Sequence, residues 1–255
     1  MGAGFKEVVL TGIHIASYGK DLGEIRLMDL VRMIHDIDGI DRIRIGSIEP
    51  TLVTEDFASA AAGMEKLCPH YHISLQSGCD ETLARMNRRY TTEQYKRAIE
   101  LLREQIPDVA LTTDVMVGFP GETDEEFDKT YQFLEEIQFA KMHVFKFSPR
   151  KGTPAASFAG QVSSQVKEAR SMRVIELSDR CAHAFHSRFI GRKMPVLYEQ
   201  EVKDRKGLYE GLTPNYIRVL SFGNNSLIGN IVKTRLIKVE NESVLGDCIK
   251  FPLVL

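Results

Sequence analysis

Apolar, β-branched runs recur through the first part of the chain, at Glu7–Ile15, Arg42–Ile48, Tyr71–Leu75, Ala110–Val117 and Lys141–Phe147. After each run the apolar positions switch to a helical period, roughly over Leu27–Ile37, Thr54–Leu67, Asp80–Gln105, Thr123–Ile137 and Ser163–Arg188. Strand and helix alternating every 28 to 42 residues or so predict βαβ units on a parallel sheet. Repeated with one hand, such units curl into a barrel. The expected fold is therefore α/β, a partial (β/α) barrel of about five βα units over residues 1–189. Helix starts agree: Thr123-Asp124-Glu125-Glu126 reads as a capping box, and Thr92 as the start or restart of a helix over 93–105.

From about residue 190 the pattern changes. Met194–Lys203, Asn215–Ser221, Leu227–Val239 and Cys248–Leu253 read as short strands. Between them lie the turn signals Asp204-Arg205-Lys206-Gly207, Gly223-Asn224-Asn225 and Glu240-Asn241-Glu242. Turns about every ten residues with no helical period predict a small all-β barrel over 190–255.

Composition is that of a soluble globular protein, with 43% hydrophobic residues and no run near eighteen apolar positions. The N-terminus lacks the pattern of a signal peptide, so a cytoplasmic location is expected. Cys68, Cys79, Cys181 and Cys248 are too scattered for a CxxC-type site and read as isolated thiols. Charge does alter the picture. Residues 1–187 carry a net −6 and residues 188–255 a net +4, which makes the tail a candidate for a polyanionic partner.

A parallel barrel builds its site at the C-terminal ends of its strands. Those ends read Thr11-Gly12-Ile13-His14, Gly46-Ser47-Ile48-Glu49-Pro50, Ser74-Leu75-Gln76-Ser77-Gly78, Gly118-Phe119-Pro120-Gly121-Glu122 and Phe147-Ser148-Pro149-Arg150. Together they form a polar rim fit for a ligand. His14 and Glu49 could act as an acid/base pair, and Gln76 and Ser77 suit ribose hydroxyls or a helix-capping turn. His183 and His186 are spaced for a metal on a helix, but a solvated helix end explains them more simply, and no metal ligand is assigned. The glycine turn at 118–122 would suggest a phosphate cradle, yet Glu122, Asp124, Glu125 and Glu126 crowd the following helix terminus. A flat, neutral or cationic ring packed on the Gly118 backbone fits better.

Four stretches in order, KEVVLTGIHIASYGKD, RIRIGSIEP, HISLQSGCDETLARMNRRYT and TTDVMVGFPGETDEEF, resemble the radical S-adenosylmethionine tRNA methylthiotransferases. The branch that modifies N6-threonylcarbamoyladenosine is the most similar, and the likeness extends to a TRAM-like barrel from about Gly191. The resemblance implies S-adenosylmethionine and four-iron four-sulfur clusters as cofactors, and methylthiolation at C2 of the modified adenine beside the anticodon. It implies tRNA, gripped at its anticodon stem-loop, as partner, with an external electron donor and sulfur source. By motif position, Gly12, His14, Ser47, Glu49, Gln76 and Ser77 would contact the cofactor, Arg88 its methionine carboxylate, and Gly118 and Phe119 its adenine. Arg192, Lys193, Lys203, Arg205, Lys206, Arg218, Lys233, Arg235 and Lys238 would meet RNA phosphates, with Tyr216 and Phe222 as stacking surfaces.

The sequence departs from that family in lacking a CxxxCxxC loop, and none of its cysteines can supply the three thiolates a radical cluster needs. It starts where the second barrel strand is expected, so the auxiliary cluster domain and first strand are missing. The expectation is a truncated chain, inactive alone, with an unpaired edge along Glu7–Ile15 that invites dimerisation or aggregation. No catalytic residue is assigned. Two other classes stand beside this one: a non-catalytic RNA-binding module, and an unrelated β/α-barrel lyase or hydrolase using His14 and Glu49.

Overall fold

The computed structural model describes residues 4–249 apart from Leu22 and Glu24. Two parallel sheets line one concave face. β1 (Glu7–Leu10) pairs with β2 (Arg42–Ile45), while β3 (Ser47–Ile48), β4 (His70–Ile73), β5 (Ala110–Val117) and β6 (Lys141–Lys146) follow in sequence order. The expected single strand over Arg42–Ile48 is thus broken at Gly46. A Cβ there would lie 3.2 Å from the Leu10 carbonyl oxygen, and the Gly46 N–H donates to that oxygen at 2.8 Å. The chain leaves its β1 partner at this glycine and takes β4 as the next. The first strand is also shorter than Glu7–Ile15, ending at Leu10. Among the described residues, neither the outer edge of β1 nor that of β6 has a strand partner, so the arc is open.

Helices α1 (Leu27–His35), α2 (Glu55–Ala62), α3 (Asp80–Arg85), α4 (Thr92–Gln105), α5 (Asp124–Ile137) and α6 (Ser164–Ser187) occupy the connections and the segment after β6. Their starts are written in the sequence. The side chains of Thr54, Thr91, Thr123 and Ser163 each accept a hydrogen bond from an N–H of the first turn. The predicted helix over Asp80–Gln105 divides where Thr91 recaps it, with Asn87 in the left-handed region at φ 58°. Between helices and sheets, Ile43, Ile73, Tyr95, Leu134 and Phe139 are fully buried, and Tyr95 donates its hydroxyl to the Ile73 carbonyl at 2.7 Å. No helix among the described residues is long and apolar enough to cross a membrane.

After α6 comes a closed five-stranded barrel of β7 (Lys193–Glu201), β8 (Leu208–Leu212), β9 (Arg218–Phe222), β10 (Ile231–Glu240) and β11 (Ser243–Cys248). Strand β8 is absent from the sequence expectation, which passes from Met194–Lys203 to Asn215–Ser221. Gly211 is in fact required there, since a Cβ would stand 2.3 Å from the Leu197 carbonyl oxygen across the ladder. The strand expected over Cys248–Leu253 lies instead at β11 and ends at Cys248; residues 250–253 fall outside the described residues. Asn215 and Tyr216 belong to the turn before β9, with Tyr216 left-handed at φ 66°.

The two barrels share a seam. Phe185 and Phe189 at the end of α6 pack with Ala110 and Ala140 below the sheet and with Val196, Ile217 and Leu236 of the small barrel. Two arginines, each only 4% exposed, clamp it. Arg42 donates to the Pro195 and Leu212 carbonyls at 2.8 and 2.9 Å, and Arg44 to the Pro214 carbonyl at 3.0 Å and to Glu7 at 2.8 Å. Buried charge is tolerable only with such partners, and the fixed guanidinium fork supplies them.

Candidate cofactor and nucleic-acid site

The turn after β5 is shaped by one of its own acids. Glu122, 7% exposed, folds back so that its carboxylate accepts from the Gly118 N–H at 2.9 Å and from Arg170 of α6 at 2.6 Å. Burial raises the Glu122 carboxyl above the ordinary carboxylate range, and the Gly118 amide and Arg170 offset part of that rise. Asp124 accepts from the same guanidinium at 2.7 Å, and Glu126 pairs with Arg85. Three of the four acids Glu122, Asp124, Glu125 and Glu126 thus have an arginine partner, two of them sharing Arg170, while Glu125 has none among the described residues, so acids still outnumber bases at this helix terminus. Gly118 sits at φ +72°, where a side chain is strained, and a Cβ there would lie 2.3 Å from Cγ of Lys167. The Lys167 stem thus covers the backbone face predicted to hold an adenine, with its ammonium on the Phe147 carbonyl at 3.0 Å. Phe119 is buried under Phe147 and Phe158, at ring separations of 5.2 and 6.2 Å, so it supports the turn from below.

The other rim residues divide into two groups. Facing solvent, His14 and Glu49 lie 3.2 Å apart, about half exposed, with Gly12 after β1 and Ser47 at the start of β3 also exposed. Arg88 is exposed between α3 and α4, and its charge and that of Glu49 both act on Tyr90, whose hydroxyl is pushed up to about 12 by burial. Gln76 is left-handed at φ 70°, and its backbone bridges to β5 through the Asp114 carbonyl and the Met116 N–H. Ser77, by contrast, is 1% exposed, and its hydroxyl is spent on Thr130 of α5 at 3.0 Å and the Cys79 N–H. It anchors the turn from behind.

Sequence reasoning missed the polar groups along the concave face, because it looked only at strand ends. His70 and His72 alternate on β4 with Ser74 just beyond its end, Thr112 and Asp114 on β5, and Lys141 and His143 on β6. His72 stands 3.3 Å from Asp114, and its ring is 5.8 Å from that of His143. The period-two pattern of these strands carried the signal.

In the tail, the predicted stacking residue Tyr216 is committed elsewhere. Its ring stacks on His70 at 4.2 Å, and the Arg44 guanidinium lies 4.7 Å from it. The ring belongs to the seam, while Phe222 is 67% exposed. Among the basic residues, Arg192 pairs with Asp108, Arg218 with Glu210 and Lys238 with Glu240. Lys193, Lys203, Arg205, Lys206, Lys233 and Arg235 are exposed, and no salt bridge joins them to another described residue. Lys193 and Arg235 are cross-strand partners, and the Lys203–Lys206 turn abuts Phe222 through the Leu208 to Phe222 pairing.

Over residues 3–134 the chain matches the radical SAM superfamily. The chain belongs to that superfamily. Within this radical SAM chain, 92% of the length is 39% identical to the threonylcarbamoyladenosine tRNA methylthiotransferase MtaB of Bacillus subtilis, of which it covers 53%. It is 38% identical over 97% of its length to a tRNA-2-methylthio-N(6)-dimethylallyladenosine synthase of Acetivibrio thermocellus, covering 52% of that protein. The chain thus spans about half the length of the curated relatives it matches. Coproporphyrinogen III oxidase (HemN) from Escherichia coli, a radical SAM enzyme, superposes with a TM-score of 0.55 over 82% of this chain and 54% of its own, at 15% identity, a likeness of fold.

Radical SAM proteins use S-adenosylmethionine with a four-iron cluster, and the two groups fare differently here. Cys68, Cys79 and Cys181 are buried singly, and burial pushes all three thiols up, Cys68 to about 11. Cluster ligands must be thiolates, so these do not fit. No group of three His, Cys, Asp or Glu among the described residues could hold a metal ion. At the rim, Gly12, His14, Ser47 and Glu49 present exposed polar groups, while the Gly118 face is covered by the Lys167 stem.

Proposed function

We propose that this chain is part of a tRNA methylthiotransferase that acts on C2 of N6-threonylcarbamoyladenosine beside the anticodon. The observation that carries the reading is the 39% identity to MtaB over 92% of the chain. A bound S-adenosylmethionine supplies the adenosyl radical source and the methyl group in such enzymes. On this chain, Gly12, His14, Ser47, Glu49 and the Gln76 backbone line the ribose and methionine side of that ligand, with Arg88 positioned for its carboxylate. Gly118 forms the adenine wall once the Lys167 stem swings aside. We assign no reaction step to the chain by itself, because its cysteines do not fit a cluster; electrons and sulfur come from outside it.

The small barrel is the proposed RNA grip, TRAM-like in role, with the Lys203–Lys206 turn and the Lys193–Arg235 pair meeting phosphates and Phe222 stacking. Its test is a titration of a tRNA anticodon stem-loop against the chain at several salt concentrations. A linear fall of log K with log salt is expected. Replacing Lys203, Arg205 and Lys206 together by alanine should reduce the slope by roughly 2, since each lost phosphate contact removes about 0.7 to 0.9. Binding indifferent to salt, or a slope unchanged in the triple variant, would refute this grip.

A further inference from the structure

Barrel interiors are ordinarily filled by layers of branched apolar side chains. The concave face of this arc is polar at mid-depth and apolar at its flanks. On β6, Met142 is buried toward the helices, which turns His143 and Phe145 to the concave side. Asp114 lies directly across the ladder from His143, and Met116 across from Phe145. Phe145 is 51% exposed, and Val9, on the opposite flank, is 53% exposed.

The hydrogen bonds beneath Asp114 run one way. His70 Nε2 and His72 Nδ1 lie 3.2 and 3.1 Å from the Thr112 hydroxyl, and His72 Nε2 lies 3.3 Å from Asp114 Oδ2. The hydrogen bond with His72 holds the Asp114 carboxyl below its ordinary range against the opposing effect of burial, so it is ionised and can only accept. His72 Nε2 then carries the proton, and its Nδ1 accepts from Thr112. The hydroxyl, having donated, accepts from His70. The chain ends on a carboxylate 28% exposed to the concave space.

We infer that this floor recognises the hydrogen-bond-donor edge of a flat base, with Asp114 as acceptor and Phe145 as stacking face, and that it selects an amino-purine over a keto-purine. Asp114 would face position 6 of the ring, where adenine presents an exocyclic N–H and hypoxanthine an oxygen that a carboxylate repels; the N1–H donor of hypoxanthine lies one position away from that contact. The inference rests on the proposed reading of the chain as acting on an RNA base, and it matches the way such enzymes hold an extruded base between apolar walls.

Adenosine and inosine are the probes, titrated into the chain while histidine Cε1–H resonances are followed by NMR, His143 being assigned by its loss in His143→Gln. Adenosine should shift the His143 signal and bind about tenfold more tightly than inosine. Asp114→Asn should abolish that preference, and Phe145→Ala should weaken both nucleosides by about tenfold with the preference kept. Equal affinities in the parent chain, a preference that survives Asp114→Asn, or an unmoved His143 signal would each overturn the inference. The nucleosides do not involve the tail. A stem-loop that fails to bind while the adenosine preference holds sinks the RNA reading alone, and a bound stem-loop without the preference sinks the floor alone.

Discussion

Glu122→Ala should destabilise the chain by about 3–5 kcal/mol, the cost of leaving one partner of a buried ion pair alone. Arg170 is 5% exposed, and without Glu122 it would keep only the Glu122 backbone carbonyl and the exposed Asp124. The Gly118 N–H would also lose the carboxylate it donates to. For a domain of this size, each kcal/mol shifts the melting temperature by roughly 2–4 °C, so a drop on the order of 10 °C is expected in calorimetry. Glu122→Gln retains a carbonyl oxygen for both donors and should cost only about 1–2 kcal/mol. Equal losses in the two variants would show that the pair does not organise the Gly118 turn.

Acid should open the seam between the barrels. Burial holds His186 down to about 4 and His70 down to about 3, and neighbouring cations push the same way. These are Lys141 and His183 beside His186, with Glu242 opposing, and Arg44, His72 and His143 beside His70. Both imidazoles are more than nine-tenths buried, each with an Nδ1 that has no hydrogen-bond partner, and both line one cavity of about 500 Å³ with Arg44, Lys141 and Tyr216. Their folded pKa values lie below the unfolded value near 6.5, so the unfolded chain binds more protons in between. The stability they contribute is complete above about pH 6.5 and is lost as pH falls toward 4 for His186 and toward 3 for His70. The loss is on the order of 3 kcal/mol per histidine, from about 1.4 kcal/mol for each unit of depression. Urea midpoints measured from pH 7 to 4 should fall steeply for the parent chain and less for the His70→Gln, His186→Gln double variant. Parallel curves would contradict it.

The strand and helix alternation was legible because parallel strands and their crossovers carry different periods, and Thr123 and Ser163 marked helix starts where they cap them, while the start read at Thr92 lies one residue past its cap at Thr91. The places of the strand ends were legible for the same topological reason, but not that Ser77 and Phe119 turn inward there. What escaped depends on partners distant in sequence. The need for glycine at 211 shows only with the Leu197 backbone against it, and Tyr216 looked like an RNA platform until His70 lay under its ring. Glu122 read as a free charge because Arg170 is 48 residues away. Arg42 and Arg44 occur within an apolar run, and Glu7 together with the carbonyls of the small barrel explains why two charges could be buried there.

The central claim is that this chain carries the ligand rim and RNA grip of a radical SAM methylthiotransferase without the thiolates for its cluster. Anaerobic incubation with iron and sulfide, followed by desalting and recording of the absorption and paramagnetic spectra, tests it most directly. The account predicts only loosely held iron and no four-iron spectrum; a stable four-iron cluster on this chain would contradict it.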